Sequence, residues 1–383
     1  MSTPYDWLDR SLHSIHKANW YRSTQTITTK AGAIATVNDR EMLMFASNNY
    51  LDLAGDQRVI EAAQRAAATY GTGSTGSRLV TGHLAIHEEL ESAIAQLKNT
   101  EAALVFSSGY LANLGTISAI VGAKDLILGD AYNHSCLKKG AVMSGATAID
   151  YEHGNLIDLT TKLIENRGKY RRCLIVTDSV FSMDGDLAPL REIMELAQVY
   201  DCMVMVDEAH GTGVFGDRGG GLTEHLGINQ PLIQVGTLSK ALGSLGGYVA
   251  GSAQLIDYLR NRAATWIYTT ALSPADTGAA IAAIDIIRNE PQRRQKLWQN
   301  VQYMQKQVQR LELPAIATDS PIIAIEYSNI VATQKIAAYL QDHGIYAPAI
   351  RPPTVPTPRI RITLMASHTT EQIQSLVQCL QDW

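Results

Sequence analysis

Cysteine is scarce and scattered. Cys136, Cys173, Cys202 and Cys379 stand singly, with no C-x-x-C pair among them. That spacing excludes a zinc ribbon, a dithiol motif and a disulfide framework, and it fits a reducing compartment. Basic blocks are missing too: the net charge is -5, so no extended footprint for nucleic acid or an anionic membrane is present. Partners are therefore expected to be small molecules or further copies of the chain. No apolar run approaches the ~18 uninterrupted residues of a membrane span. The opening MSTPYDWLDRSLHSIHKANW carries charges where a signal peptide would have its apolar core, so the protein reads as cytoplasmic.

Phosphate-binding signatures are also lacking. There is no G-x-x-x-x-G-K-[ST], so Asp207-Glu208-Ala209-His210, which imitates the acidic box of nucleic-acid-dependent ATPases, has nothing to hold a triphosphate. Two G-x-G-x-x-G matches occur, Gly71/Gly73/Gly76 and Gly211/Gly213/Gly216. The first follows a helical pattern and the second opens no long helix, so neither has the setting of a dinucleotide site. His87-Glu88-Glu89 has no second histidine four residues after the first, and no zinc helix is implied.

What is present is an ordinary globular composition, 46% hydrophobic and 18% charged over 383 residues, enough for about two or three domains. An amphipathic helix is expected over residues 4–20, with Trp7, Leu8, Leu12 and Ile15 on one side, packing against something. Two short strands, 33–37 and 42–45, turn at Asn38 and Asp39. From Ala102 onward apolar strands alternate with helices of 10 to 15 residues: strands at 103–106, 125–129, 148–151, 173–177, 202–206 and 232–235. Such alternation predicts an α/β large domain, residues 46–275, with a mainly parallel sheet covered on both faces. After Pro274 a long helical tract to Leu311, strands at 322–326 and 359–364 and helices from 330 and 370 predict a smaller α+β domain, 276–383. Residues 1–45 are expected to pack with it.

The residues at the carboxyl ends of the strands carry the chemistry, since open α/β sheets bind ligands there. Strand 232–235 delivers Thr237, Ser239 and Lys240 into a glycine-rich stretch with Gly243, Gly246 and Gly247. Alone, a serine-lysine pair at a strand end is ordinary solvated surface. Strand 103–106 runs into Ser107-Ser108-Gly109-Tyr110 and a helix start, where free N-H groups and the helix dipole favour an anion. Strand 125–129 leads to Asn133 and His134, and strand 173–177 to Asp178 and Ser182. Asp207 closes five apolar residues, so it sits at a buried sheet end and needs a positive partner; His210 is three residues on. An anion seat, a buried aspartate for a cationic ring nitrogen, a histidine for a ring oxygen and a lysine amine together describe a pyridoxal phosphate site.

Eight motifs in order, FASNNYLDL, GTGSTGSRLVTG, FSSGYLAN, DAYNHSCL, VFSMDGDLAPL, VDEAHGTGVFG, GTLSKALG and AIRPPTVP, resemble the α-oxoamine synthases, fold type I pyridoxal phosphate enzymes, over nearly the whole chain. The resemblance implies that Lys240 carries the cofactor as a Schiff base, Asp207 pairs the ring nitrogen, and His210 and Ser182 meet the ring oxygen. It further implies that His134 stacks on the ring, Gly109 and Tyr110 lie at the cofactor, and Thr237 meets its phosphate. Arg361 is implied as the anchor for the amino-acid carboxylate, with Asn48 beside it; Arg22 and Thr354 match substrate-contacting positions. The family is dimeric, and Thr269 and Thr270 match residues reaching the other subunit's phosphate. Three residues depart from the family pattern: Asn49 for an acid, Asp52 for glycine and Asp178 for glutamate.

The implied activity is decarboxylative condensation of an amino acid with an acyl thioester. Arg351-Pro352-Pro353-Thr354-Val355-Pro356 and the ending RIRITLMASHT favour the member that joins L-alanine to pimeloyl-CoA or a pimeloyl carrier protein in biotin biosynthesis, ahead of one using glycine and acetyl-CoA. A non-catalytic ligand-binding scaffold is the alternative of a different class.

Overall fold

The computed structural model describes residues 3–383. Its centre is a seven-stranded sheet, in the order Ala102–Phe106, Gly247–Gly251, Ile233–Thr237, Met203–Asp207, Cys173–Asp178, Leu126–Asp130 and Thr147–Tyr151. The last five pair in parallel, and Gly247–Gly251 runs antiparallel to both its neighbours. Cys173–Asp178 and Ile233–Thr237 are buried at every position, which is why they read as unbroken apolar runs. Alternate residues serve opposite layers. Leu174 and Val176 join a cluster with Ile117 and Leu137, whereas Cys173 and Ile175 pack with Leu159, Leu163 and Ile193.

Two smaller sheets lie outside this layer. Arg359–Thr363 is the middle strand of one, antiparallel to Ile322–Glu326 and to Ala349–Ile350. In the other, Arg40–Met44 pairs antiparallel with Ile34–Val37 and parallel with Ile345–Tyr346, so residues near the amino end share a sheet with the carboxyl-terminal part. Asn38 and Asp39 take φ of 46° and 64°, the left-handed pair that a two-residue hairpin needs.

The sequence reading differs from the structure in four places. Gly247–Gly251 is a strand, not the tail of a turn: a Cβ on Gly247 would lie 2.3 Å from the Gly109 nitrogen, so glycine there lets a helix start press against the sheet. The long helical tract is two helices, Pro274–Asn289 and Pro291–Arg310, because Pro291 has no N-H to continue the first and suits the first turn of the second. Ile345–Tyr346 and Ala349–Ile350 are strands too short to leave a periodic signal. The first helix is Trp7–Lys17, and none of its residues is buried. Trp7, Leu8, Leu12 and Ile15 stay exposed, so their expected packing partner is not found among the described residues.

Among the described residues no helix is long and apolar enough to cross a membrane, and no cluster of three or more histidine, cysteine or acidic side chains could hold a metal.

Candidate active site

The parallel strands place their carboxyl ends along one rim, and register puts Asp178 beside Asp207 and Asp207 beside Val235. Asp207 is buried. Its Oδ2 accepts a hydrogen bond from Asn113 Nδ2 at 2.7 Å and its Oδ1 one from the Ala209 N-H at 2.8 Å. No lysine, arginine or histidine among the described residues lies within ion-pairing distance of it. A buried carboxylate held by two neutral donors and left without a counter-ion is an invitation to a cationic ligand.

Lys240 Nζ lies 2.8 Å from His210 Nε2, and His210 Nδ1 lies 2.6 Å from the Tyr50 hydroxyl. Burial draws the lysine amine below its ordinary range, while Asp207 and Asp178 pull the other way. Burial, then the charges of Lys240 and Arg361, hold His210 well below the usual imidazole range, so its ring is neutral. Tyr50 is pushed up to about 12 by burial, with Arg361 opposing. Its hydroxyl donates to Asn48 Oδ1 at 3.4 Å, which also accepts from Arg361 Nη2 at 3.1 Å. Arg361 in turn donates from Nε to the Ser182 carbonyl at 2.6 Å and from Nη1 to Thr363 Oγ1 at 2.8 Å. Lys240, His210, Tyr50, Asn48, Arg361 and Ser182 are thus one connected cluster.

The anion seat is built from two elements. Ser108 Oγ accepts from the Leu111 N-H at 3.2 Å and caps the helix Gly109–Ile120. Among the described residues the N-H groups of Gly109 and Tyr110 meet no protein acceptor. A Cβ on Gly109 would stand 3.2 Å from the Thr237 Cβ, so glycine lets the helix start abut that strand end. Thr237 Oγ1 accepts from the Ser239 N-H at 3.1 Å and donates to the Gly246 carbonyl at 2.9 Å. The seat therefore offers N-H groups, a helix dipole and hydroxyls.

Asp178 and His134 meet across the rim, the His134 N-H donating to Asp178 Oδ2 at 2.7 Å. Burial, then the Asp207 charge, push the Asp178 carboxyl well above the carboxylate range. The departures at 49 and 52 compensate each other. Asp52 takes φ of 54°, where glycine is the easy residue, and its carboxylate accepts from Asn49 Nδ2 at 3.0 Å. An acid at 49 would instead face a like charge.

Among the described residues the side chains of Arg22, Thr354, Thr269 and Thr270 make no hydrogen bond at all. Arg22 is exposed beside Tyr21, whose carbonyl accepts from Arg351 Nη2 at 2.6 Å, and the exposed Thr354 donates its N-H to the Arg351 carbonyl at 3.0 Å. Thr270 meets the rim through its carbonyl, which accepts from Ser107 Oγ at 3.2 Å; Thr269 is half-buried next to it. Tyr50, Asn113 and Cys136 were missed in the sequence, although each stands inside a quoted motif. Glu208, the acid of the ATPase-like box, is structural: its carboxylate accepts from the N-H groups of Leu222 and Thr223 at 3.0 and 2.9 Å. His87 is likewise a buried scaffold residue bonded to Leu84 and Leu272.

Pyridoxal phosphate fits these donors. The unpaired Asp207 carboxylate suits its ring nitrogen, the N-H groups of Gly109 and Tyr110 suit its phosphate, and the Lys240 amine suits its aldehyde. The fold is that of a fold type I pyridoxal phosphate transferase. Residues 40–380 match the family described as aminotransferase class I and II. Two relatives bear the name "Putative 8-amino-7-oxononanoate synthase": one from Gloeothece citriformis, 59% identical over 98% of this chain and 99% of its own length, and one from Trichormus variabilis, 58% identical over the whole of both. Among solved structures, a serine palmitoyltransferase from S. paucimobilis with a bound PLP-myriocin aldimine superposes with a TM-score of 0.92 at 29% identity, covering 99% of this chain and 96% of that one. An 8-amino-7-oxononanoate synthase from Francisella tularensis gives 0.79 at 28%, covering 89% and 97%. The chain belongs to the aminotransferase class I and II family and, within it, to the pyridoxal phosphate-dependent α-oxoamine synthases.

Proposed function

We propose that the protein condenses L-alanine with a pimeloyl thioester, releasing carbon dioxide and the free thiol carrier and forming 8-amino-7-oxononanoate for biotin biosynthesis. The observation that carries the reading is Asp207: a buried carboxylate with neutral donors and no counter-ion, on the same rim as a lysine amine and a free helix N-terminus. The names of the relatives at 58–59% identity support the choice of substrates.

When bound, pyridoxal phosphate supplies an electron sink for charge at the substrate α-carbon. Asp207, oriented by Asn113 and Ala209, holds a proton on the ring nitrogen. Lys240 is the attachment point, and its Nζ, pulled down by burial, takes and returns the proton at the alanine α-carbon. His134 covers the ring face, while His210 and Ser182 address the ring oxygen. Gly109, Tyr110 and Thr237 bind the phosphate. Arg361, with Asn48, receives the alanine carboxylate. Arg22 and Thr354 address the acyl chain, and Thr269 and Thr270 act across a homodimer interface.

A second reading, another α-oxoamine synthase with a different amino acid and acyl chain, draws on the higher TM-score of the serine palmitoyltransferase. The test is purified protein with L-alanine and pimeloyl-CoA, run beside glycine with acetyl-CoA and serine with palmitoyl-CoA. Product of the mass of 8-amino-7-oxononanoate, with equimolar carbon dioxide and thiol, is expected in the first arm. Turnover confined to another arm would replace the first reading with the second.

A further inference from the structure

His134 opens the helix Ser135–Ser144 as its N-cap, and the Cys136 N-H donates to His134 Nδ1 at 3.3 Å. Nδ1 is therefore an acceptor. The Cys136 sulfur lies 2.8 Å from the same nitrogen. Burial, reinforced by the charges of Asp207 and Asp178, pushes this thiol up, so it keeps its hydrogen and donates it to Nδ1. Sγ also lies 3.2 Å from Asn113 Nδ2, whose two hydrogens go to Asp207 Oδ2 at 2.7 Å and to the Gly109 carbonyl at 3.1 Å. One amide thus ties the carboxylate assigned to the ring nitrogen to the helix that forms the anion seat, beside the thiol that addresses His134.

With two donors on Nδ1, a neutral imidazole must carry its hydrogen on Nε2. Burial favours that neutral form, with Asp207 opposing. We infer that Cys136 is a positioning residue which, with Asn113, fixes His134 as the Nε2-H tautomer and makes it a hydrogen-bond donor toward the acyl substrate. The opposite tautomer would turn a lone pair toward an oxygen gaining negative charge during condensation and loss of carbon dioxide. The inference rests on the proposed role of His134, and it identifies what gives the ring its polarity.

The test is long-range proton-nitrogen NMR on deuterated protein carrying 15N-histidine, as holoenzyme and after cofactor removal, with His134→Gln assigning the signal. Wild type should have Nε2 protonated and Nδ1 bare. Cys136→Val, which fills the space without a donor, should yield a tautomer mixture and lower kcat by about tenfold, the worth of one net buried hydrogen bond, with KM for the amino acid unchanged. Cys136→Ser, which restores a donor, should return both readouts toward wild type. A bare Nε2 in wild type overturns the inference, as does a Cys136→Val protein with an unchanged tautomer or an unchanged kcat. Absence of product from wild type with every acyl donor would instead sink the reaction reading, while the tautomer is still decided by the spectrum.

Discussion

The amine of Lys240 lies 2.8 Å from Nε2 of His210, and the far side of that imidazole lies 2.6 Å from the hydroxyl of Tyr50. A neutral His210 can satisfy both neighbours in one way only if the Tyr50 hydrogen goes to Asn48. Lys240 then donates to Nε2, Nδ1-H donates to Tyr50, and Tyr50 donates to Asn48 Oδ1, where Arg361 also donates. Tyr50→Phe removes the acceptor for Nδ1-H and leaves a buried donor unmet, at a cost of about 1–3 kcal/mol. The expected outcome is kcat lowered by roughly tenfold or more. Steady-state kinetics with thermal unfolding as the fold control checks it; wild-type kcat would separate His210 from the lysine's chemistry.

Asp207 and Asn113 should behave as unequal partners. Asp207→Asn removes the only charge proposed to stabilise a protonated ring nitrogen, and kcat should fall by roughly 10²–10³, the scale seen when one preorganised electrostatic group is lost. Asn113→Ala leaves that charge but frees its orientation; a loss of about tenfold in cofactor affinity is expected, read by fluorescence titration.

His153 sits between two carboxylates, with Nδ1 and Nε2 each 2.9 Å from Asp130 and Asp186. Tyr132 stacks on it at 4.2 Å and Phe181 meets it edge-on at 4.4 Å. Burial acts to lower its pKa but is outweighed by the hydrogen bonds it donates to both carboxylates, which push it up to about 10. A raised folded-state value means stability fully present below the unfolded value of ~6.5 and lost as pH climbs toward the folded one. The difference in unfolding free energy between wild type and His153→Gln should therefore shrink between about pH 6.5 and 10, by on the order of 1–3 kcal/mol. Urea unfolding at several pH values measures it; a constant difference would mean that the ring is not charged in the fold.

Arg359 and Arg361 project from one strand two residues apart, and both grip the segment that carries Ser182. Arg359 pairs with Asp184 and, at 3.2 Å, with Glu326, while Arg361 holds the Ser182 carbonyl. Arg359 and Asp184 are both buried. Arg359→Met strands a buried carboxylate and should cost about 3–5 kcal/mol. Adding Asp184→Leu should recover much of that loss. A double variant no more stable than the single one would contradict the pairing.

Much of this cleft was legible in the chain because apolar strands end on polar residues. Asp207 follows directly from where the five-residue apolar run 202–206 stops, and Thr237 and Lys240 lie just beyond the short strand 232–235. Tyr50 and Asn113 were not legible, since their partners are brought from far off: Tyr50 meets a histidine 160 positions away and Asn113 an aspartate 94 away. Gly247–Gly251 was hidden because Gly246 and Gly247, the latter needed for packing against Gly109, imitate a turn. Glu208 and His87 show the converse. Each sits in a motif that suggests chemistry and instead satisfies buried backbone groups.

Lys240 as the anchor of the cofactor is the central claim, and borohydride reduction of the holoenzyme followed by proteolysis and mass spectrometry tests it most directly. The expected result is a single pyridoxyl-modified peptide with the modification on Lys240, absent from Lys240→Ala. Modification of any other lysine, or a label that persists in Lys240→Ala, would contradict it.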